Sequence, residues 1–246
     1  MTNKYMYFIA NWKMYGVLKT LNSLNRVISF SKKNMKSKVK LIYCPPSTLI
    51  SMLSKKLKNS SIEIGAQNCH ESQKYASLTG QINSNMLKDA GAKFVILGHS
   101  ENRQSGEENK LINKKIKSAL KVGLKIILCV GETLKEKNKK KTKKILGRQI
   151  KTCLNGVKKS SNIMIAYEPV WAIGTGLIPN SDSLKKNILY IKKKLKNKSV
   201  KILYGGSVNS KNIRDLKRID LLDGFLIGGD SRDSKKFIDI IKKTYN

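Results

Sequence analysis

The chain has 246 residues, and its 50 Lys plus Arg against 16 Asp plus Glu give a formal net charge of +34. Hydrophobic residues make up 40% of the sequence, which is enough for one sizeable core and argues against a disordered chain. No apolar run reaches the roughly 18 residues that a membrane-spanning helix needs. The first residues lack the features of an export signal and the cysteines are far apart, so we expect a cytoplasmic protein with reduced thiols.

The excess of positive charge has two interpretations. A strongly basic chain is typical of nucleic-acid-binding proteins. Here, however, lysine pairs recur along the whole sequence and only 7% of the residues are aromatic, whereas a nucleic-acid groove concentrates cations and aromatic residues on one element. We therefore expect solvated, lysine-rich helix faces. Additional non-specific nucleic-acid binding is the alternative, with residues 137–144 as the densest candidate patch.

Eight short apolar runs of strand length follow one another along the chain. They are almost continuously apolar instead of alternating with polar residues, which is typical of parallel strands that are covered on both faces. The runs lie at residues 7–10, 40–44, 62–66, 94–97, 126–130, 163–167, 202–204 and 225–227.

Segments with helical spacing separate these runs. Leu184, Ile188 and Ile191 recur at intervals of three and four residues, and Gly123 follows another such segment as a candidate C-cap. Eight strand–helix units in a chain of this length predict a closed (β/α)8 barrel, which forms a single domain over residues 1–246. An open, doubly wound parallel sheet is the alternative.

Polar residues or glycines follow nearly all of the predicted strands. Asn11 and Lys13 come after the first strand, His99 after the fourth and Glu168 after the sixth, while glycine pairs follow the seventh and the eighth. In a parallel barrel these positions converge at one mouth, where the loops after strands seven and eight are the usual phosphate site. The pattern therefore predicts a small phosphorylated substrate. No Cys/His cluster, Asp pair or Gly-x-Gly-x-x-Gly motif is present, so we expect no metal and no cofactor.

His99 is the more informative of the two histidines. It directly follows an apolar run and would begin a helix, whose N-terminus disfavours a charged ring. We therefore expect a neutral imidazole that donates an N–H to a carbonyl, with a buried structural histidine as the alternative. His70 lies in a polar stretch, where we expect an exposed loop residue.

The chain also carries longer motifs, in the order NWKM at 11–14, GHSE at 98–101, AYEPVWAIGTG at 166–176, YGGSV at 204–208 and DGFLIGG at 223–229. Together they resemble the triosephosphate isomerase family, and the matches run from residue 8 to residue 231. The resemblance implies a cofactor-free homodimer that interconverts dihydroxyacetone phosphate and D-glyceraldehyde 3-phosphate, a step of glycolysis and gluconeogenesis. It also connects the chain with pentose phosphate metabolism.

The resemblance assigns roles to individual residues. It makes Glu168 the base that removes the proton next to the carbonyl, and His99 the electrophile that polarises this carbonyl. Lys13 adds positive charge beside the enediolate and the phosphate, and Asn11 orients the substrate. Residues 169–176 correspond to a mobile lid. Hydrogen bonds to the phosphate would come from Gly174, Ser207, Gly228 and Gly229.

Three departures from the family pattern bear on these expectations. Pro179 occupies the third hinge position of the lid, whose backbone N–H would bond the hydroxyl of Tyr204, and proline has no N–H. Asp230 stands in the phosphate turn, where it would repel a phosphate or cap the next short helix. Gln81 and Asn102 stand where the family often has a Glu–Arg pair at the dimer contact. Because both charges are absent together, no unpaired charge is buried in the interface, which fits a retained homodimer.

A different phosphate chemistry on the same barrel is the alternative enzyme class. An aldolase, for example, needs a lysine that forms a Schiff base in the barrel mouth. The residue that follows the sixth predicted strand is Glu168 and not a lysine, so the isomerase is favoured.

Overall fold

The computed structural model describes residues 5–34, 39–158, 160–195, 197 and 199–245. Eight strands close into a barrel in which each strand pairs in parallel with the next and the eighth pairs with the first. The predicted (β/α)8 barrel is therefore confirmed, and the open-sheet alternative is wrong. The strands are β1 (Met6–Asn11), β2 (Val39–Cys44), β3 (Glu63–Ala66), β4 (Phe94–Leu97), β5 (Lys125–Val130), β6 (Ile163–Tyr167), β7 (Lys201–Tyr204) and β8 (Gly224–Ile227).

Helices alternate with the strands and form the outer layer, because a parallel connection must cross over one face of the sheet. Two short additional helices, α4 and α6, directly follow β4 and β5 at the carboxyl end of the barrel. Within the described residues the helices are α1 (Leu24–Asn34), α2 (Ile50–Leu57), α3 (Ser84–Asp89), α4 (Ser100–Gln104), α5 (Asn109–Lys121), α6 (Leu134–Asn138), α7 (Thr142–Cys153), α8 (Ser181–Lys194), α9 (Ile213–Lys217) and α10 (Ser234–Tyr245).

Both faces of the strands are buried, which explains their continuous apolar sequences. In β4, Phe94 and Ile96 belong to the cluster that fills the barrel interior. Val95 and Leu97 alternate with them and belong to the larger cluster between strands and helices. Successive side chains of a strand point to opposite faces, so two apolar surfaces require an uninterrupted apolar run.

The helical predictions are confirmed where they were most definite. In α8, Leu184, Ile188 and Ile191 are all buried against the barrel. Gly123 follows α5 with a φ of +87°, and its N–H donates to the carbonyl of Leu120 at 3.2 Å. Such a left-handed residue after the last helical turn is the favoured position of glycine.

The four cysteines are free and buried. Burial raises the pKa of the Cys69 thiol to about 12, which keeps it protonated at neutral pH. Within the described ranges, no helix is long and apolar enough to span a membrane.

His70 lies in a loop, as predicted, but it is half-buried instead of exposed, and its Nδ1 accepts the N–H of Ser72 at 3.1 Å.

Candidate active site

The carboxyl ends of the strands bring the four predicted catalytic residues to one place. Glu168 Oε1 lies 3.4 Å from Nε2 of His99, and Nδ1 of His99 lies 3.5 Å from Oε2 of Glu101. The other oxygen of Glu101 is 2.5 Å from the Lys13 ammonium. Asn11 Oδ1 in turn accepts the backbone N–H of Lys13 at 3.1 Å. Three strands separated in sequence, β1, β4 and β6, thus supply one connected polar cluster. Glu101 is a member to which the sequence analysis assigned no role.

His99 begins a helix, as the sequence predicts. It is the N-cap of α4, and its Nδ1 accepts the backbone N–H of Glu101 at 3.3 Å. A ring nitrogen that accepts a hydrogen bond carries no proton, so a neutral ring has its proton on Nε2. Nε2 is the ring atom that lies near Glu168, 3.4 Å from its Oε1.

The Glu168 side chain is buried, and the Cys129 thiol lies close enough for the carboxylate to raise the pKa of that thiol further above its burial-raised value. Glu168 Oε2 accepts the backbone N–H of Ser100 at 3.4 Å, whereas Oε1 has no hydrogen-bond partner among the described residues. Two glycines make room for this residue. A Cβ on Gly205 would lie 2.6 Å from Glu168 Cγ, and a Cβ on Gly131 would lie 1.7 Å from the Glu168 carbonyl oxygen. The glycine after β7 therefore accommodates the carboxylate, a reason that the sequence analysis did not anticipate.

Lys13 is held in a strained backbone conformation. Its φ is +54°, a value that non-glycine residues adopt rarely and at an energetic cost. The side-chain amide of Gln67 donates to the Lys13 carbonyl at 2.9 Å and to the Cys44 carbonyl at 2.8 Å, which holds this turn. A Cβ on Gly228 would lie 3.5 Å from Lys13 Cε, so the lysine side chain passes beside the glycine turn after β8.

The glycine turn after β8 opens a short 3-10 helix, Gly229–Arg232. The Trp12 indole N–H donates to the carbonyl of Ser231 at 3.2 Å and ties this turn to the loop after β1. The carboxylate of Asp230 lies 3.9 Å from the Lys236 ammonium of α10. Asp233, and not Asp230, accepts the first backbone N–H groups of α10, and these hydrogen bonds lower the pKa of Asp233.

The loop of residues 169–176 is fastened to the loop after β7 by one side chain. The Ser207 hydroxyl donates to the Ala172 carbonyl at 2.7 Å and accepts the N–H of Gly176 at 3.1 Å. Gly174 and Gly176 have φ values of +73° and +76°. A Cβ on Gly174 would meet nothing within 4 Å, so the tip of the loop is open on its outer side.

This geometry agrees with what is found by comparison with known proteins. A family model described as triosephosphate isomerase matches residues 6–244. The chain belongs to the triosephosphate isomerase family.

Relatives of similar length support the assignment. Triosephosphate isomerase of Thermodesulfovibrio yellowstonii is 40% identical over 244 residues, which cover 96% of this chain and 98% of the relative. Triosephosphate isomerase of Wolbachia pipientis wMel is 40% identical over 235 residues, which cover 96% of this chain and 92% of the relative. A crystal structure of triosephosphate isomerase from Bartonella henselae superposes with a TM-score of 0.89 at 33% identity and covers 98% of this chain and 99% of that one.

Glu132 anchors the loop of residues 169–176 through Trp171, and it was missed as a site residue. It is buried, and it accepts the indole N–H of Trp171 at 3.1 Å and the hydroxyl of Tyr167 at 3.1 Å. Burial raises the pKa of Glu132. The Lys137 ammonium lies 3.4 Å from the centroid of the Trp171 ring, a cation–π contact on the outer side of the lid. The sequence offered one sign of a site role for Glu132, namely a carboxylate two residues after the end of β5.

Tyr204, at the end of β7, is buried beside the second glycine of the pair that follows it. Its hydroxyl is buried and has no hydrogen-bond partner among the described residues. A Cβ on Gly206 would lie 2.3 Å from this hydroxyl, so the second glycine of the pair makes room for the tyrosine. Pro179 has no N–H to offer, which is what the sequence analysis expects for this position.

Proposed function

We propose that this chain interconverts dihydroxyacetone phosphate and D-glyceraldehyde 3-phosphate through an enediolate, as one catalytic domain and without a cofactor. The observation that carries the proposal is the pair at the barrel mouth. A buried carboxylate oxygen without a hydrogen-bond partner among the described residues lies 3.4 Å from Nε2 of His99, and the other ring nitrogen accepts a backbone N–H. One group is ready to accept a proton from carbon and the other to donate to a carbonyl oxygen.

The proton transfers follow from these two groups. Glu168 removes the pro-enolic proton from the carbon next to the ketone, and the electron pair of the broken C–H bond moves to the carbonyl oxygen. The Nε2–H of His99 stabilises the negative charge that develops there and relays a proton between the two oxygens. Glu168 then returns its proton to the neighbouring carbon, which completes the isomerisation with atoms and charge balanced. Acid–base groups placed in this way contribute about 10²- to 10⁴-fold to a rate.

Positive charge and backbone N–H groups hold the substrate phosphate. Lys13 stands between the catalytic pair and the turn of Gly228 and Gly229, so its ammonium acts on both the enediolate and the phosphate. The turn begins a 3-10 helix, and its N–H groups face an anion favourably. Gly174 reaches the phosphate from the lid, and Ser207 joins lid and phosphate loop. Closure excludes water from an enediolate that would otherwise lose phosphate.

A coupled assay tests the proposal. The protein is expected to convert glyceraldehyde 3-phosphate to dihydroxyacetone phosphate without added metal, with the same turnover after treatment with EDTA. Borohydride added together with substrate distinguishes an aldolase, since it reduces a Schiff base and would inactivate such an enzyme. Absence of isomerisation, or inactivation by borohydride, would contradict the proposal.

We also propose that the chain functions as a homodimer in the cytoplasm. Met14, next to the catalytic Lys13, is 95% exposed, and Tyr75 in the loop after β3 is 78% exposed. Val17 and Leu18 extend the same exposed apolar surface. Apolar residues of this kind at the rim of a site mark a contact surface. The four free cysteines fit a reducing compartment.

The dimer is expected to dissociate more readily at low salt. Each chain carries a formal charge of +34, and two such chains repel one another over distances that salt shortens from about 30 Å at 0.01 M to about 10 Å at 0.1 M. Sedimentation velocity across a KCl series measures the dimer fraction, which should fall as KCl is lowered. Sucrose at matched osmolality serves as the uncharged control. A dimer fraction independent of KCl would contradict the prediction.

The substitution Pro179→Ala is expected to stabilise the closed lid. It restores the backbone N–H that the family resemblance pairs with the Tyr204 hydroxyl in the closed lid, and a new hydrogen bond contributes about 0.5–1.5 kcal/mol. We expect kcat to rise by about two- to tenfold and the loss of phosphate from the intermediate to decrease. Tyr204→Phe is the matched control: it should cancel the gain in the Pro179→Ala background and have little effect alone. Equal turnover and phosphate loss in all four proteins would refute the explanation.

A further inference from the structure

A long groove runs over the outside of the barrel between α5, α7 and α8. Its volume is about 1510 Å³, and none of the residues assigned to the isomerase site lines it. The walls come from the helices, and the floor includes residues at the amino ends of the sixth and seventh strands, such as Ile163 and Val200. The groove therefore lies on the outer surface of the helical layer, whereas the catalytic cluster lies at the carboxyl ends of the strands.

The charged residues that line this groove are all positive. Seven exposed Lys and Arg residues line it, and no Asp or Glu in the described part of the chain does. Lys144, Arg148 and Lys151 follow at intervals of four and three residues, so they share one face of α7 at steps of about 6 and 4.5 Å along its axis. Lys110 and Lys114 stand on the α5 wall with the same spacing of about 6 Å. The two others are Lys158 and Lys194.

Most of these cations have no counter-ion among the residues that the structure describes. Across the described ranges, only Lys114 of this group lies within ion-pair distance of a carboxylate, 3.5 Å from Glu71. Lys194 instead lies 5.4 Å from the centroid of the Tyr190 ring. Like charges lined up in one concave surface repel one another and concentrate a positive potential. A ligand with several negative charges along its length relieves that repulsion at several cations at once.

The floor of the groove argues against an amphipathic peptide helix as this ligand. Ile150, Ile163, Leu195 and Val200 are only 3%, 3%, 5% and 6% exposed. A peptide helix in a groove binds through apolar anchors at helical spacing, and this floor offers them little surface. Neighbouring helix axes lie about 8–10 Å apart, so the space between them is also too narrow for a nucleic-acid duplex. A single chain of phosphates requires only a narrow path lined by cations.

We propose that this groove binds single-stranded nucleic acid through its phosphate backbone, without preference for sequence. Successive phosphates lie between the α5 and α7 walls, each near one lysine. Lysine contacts a phosphate as a point charge, and Tyr190 is the one aromatic residue in the lining, so bases contribute little to recognition. Of the run 137–144 that the sequence marked as the densest patch, only Lys144 lines the groove. The site is therefore assembled from three helices and not from that run.

Fluorescence anisotropy with labelled oligouridine tests the proposal across a KCl series. The groove variant carries Lys144→Gln, Lys151→Gln and Lys158→Gln. The matched control carries Lys32→Gln, Lys55→Gln and Lys58→Gln on exposed sites of α1 and the end of α2, which lowers the net charge equally. The logarithm of the binding constant falls linearly with the logarithm of the salt concentration, and each lost phosphate contact reduces this slope by about 0.7 for a single strand. The slope of the groove variant should therefore be smaller by about 2, and its binding at physiological salt should be weaker on the order of tenfold. The control should change by less than about threefold.

The outcomes separate the groove from diffuse charge and from the active site. Isomerase activity equal to that of the parent protein establishes that both variants are folded. If both variants weaken oligouridine binding equally, binding is due to overall charge and the proposal is wrong. Polyglutamate that binds as tightly as oligouridine, with the same dependence on the groove lysines, would also overturn it, as would inhibition of the isomerase by saturating oligouridine.

Discussion

Glu168→Gln is expected to lower kcat on the order of 10³- to 10⁴-fold, with a much smaller change in KM. The amide has nearly the same shape as the carboxylate and can occupy the space beside Gly205, but it cannot accept a proton from carbon. Because binding of the phosphate does not depend on this side chain, the loss should appear in kcat. The coupled assay in both directions measures it.

Two further variants define the cause of that loss. Glu168→Asp retains the charge and draws the carboxylate back by one methylene, and a displacement of about 1 Å costs on the order of 10²-fold. Glu63→Gln is the matched control, since Glu63 begins β3 at the opposite end of the barrel and lies 3.6 Å from Lys93. It should leave kcat unchanged. If the Gln variant at position 168 kept more than about a tenth of the parent turnover, Glu168 would not be the base.

His99→Asn is expected to lower kcat on the order of 10²- to 10³-fold, the usual effect of removing one donor to a developing oxyanion. The imidazole presents its Nε2–H towards the site because Nδ1 accepts the N–H of Glu101. Asn is itself a favourable N-cap residue, so α4 should still begin at Ser100 and the variant should remain folded. Steady-state kinetics and thermal unfolding separate the loss of activity from any loss of stability.

His70→Asn provides the control for the second prediction. His70 lies in the loop after β3 and its Nδ1 accepts the N–H of Ser72, so it has a local structural role. We expect its substitution to leave kcat within about twofold of the parent value, in line with surface changes of about 0.5 kcal/mol. Equal losses in the two histidine variants would contradict the assignment of His99 as the electrophile.

The barrel was predictable because its signal is local and repeated. Each strand is buried on both faces, as Phe94 to Leu97 show, so each appears in the sequence as an unbroken apolar run. The location of the residues that follow these runs was also predictable, because His99 and Glu168 closely follow their strands in the chain and therefore lie at the carboxyl ends. Once parallel strands close into a ring, those ends share one mouth. Candidate site residues could therefore be named without coordinates, and the family resemblance supplied the role proposed for each.

The supporting contacts were not predictable, because they join residues that are far apart in the chain. Gln67 holds the strained turn at Lys13, 54 positions earlier in the chain, and neither sequence segment predicts this contact. The glycines after β7 were attributed to anion binding, yet Gly205 makes room for Glu168 and Gly206 for Tyr204. Ser207 was expected at the phosphate, and its hydroxyl also holds the lid at Ala172 and Gly176.

The amino-acid sequence by itself determined the ring of parallel strands and the residues at its mouth, because apolar periodicity and chain order act over short distances. Only the tertiary structure decided which ring nitrogen of His99 accepts a backbone N–H, which glycine leaves space for the Glu168 carboxylate and which lysines line the groove. Those properties depend on distances between atoms of separate elements, and such distances exist only after the barrel has closed and its helices have packed.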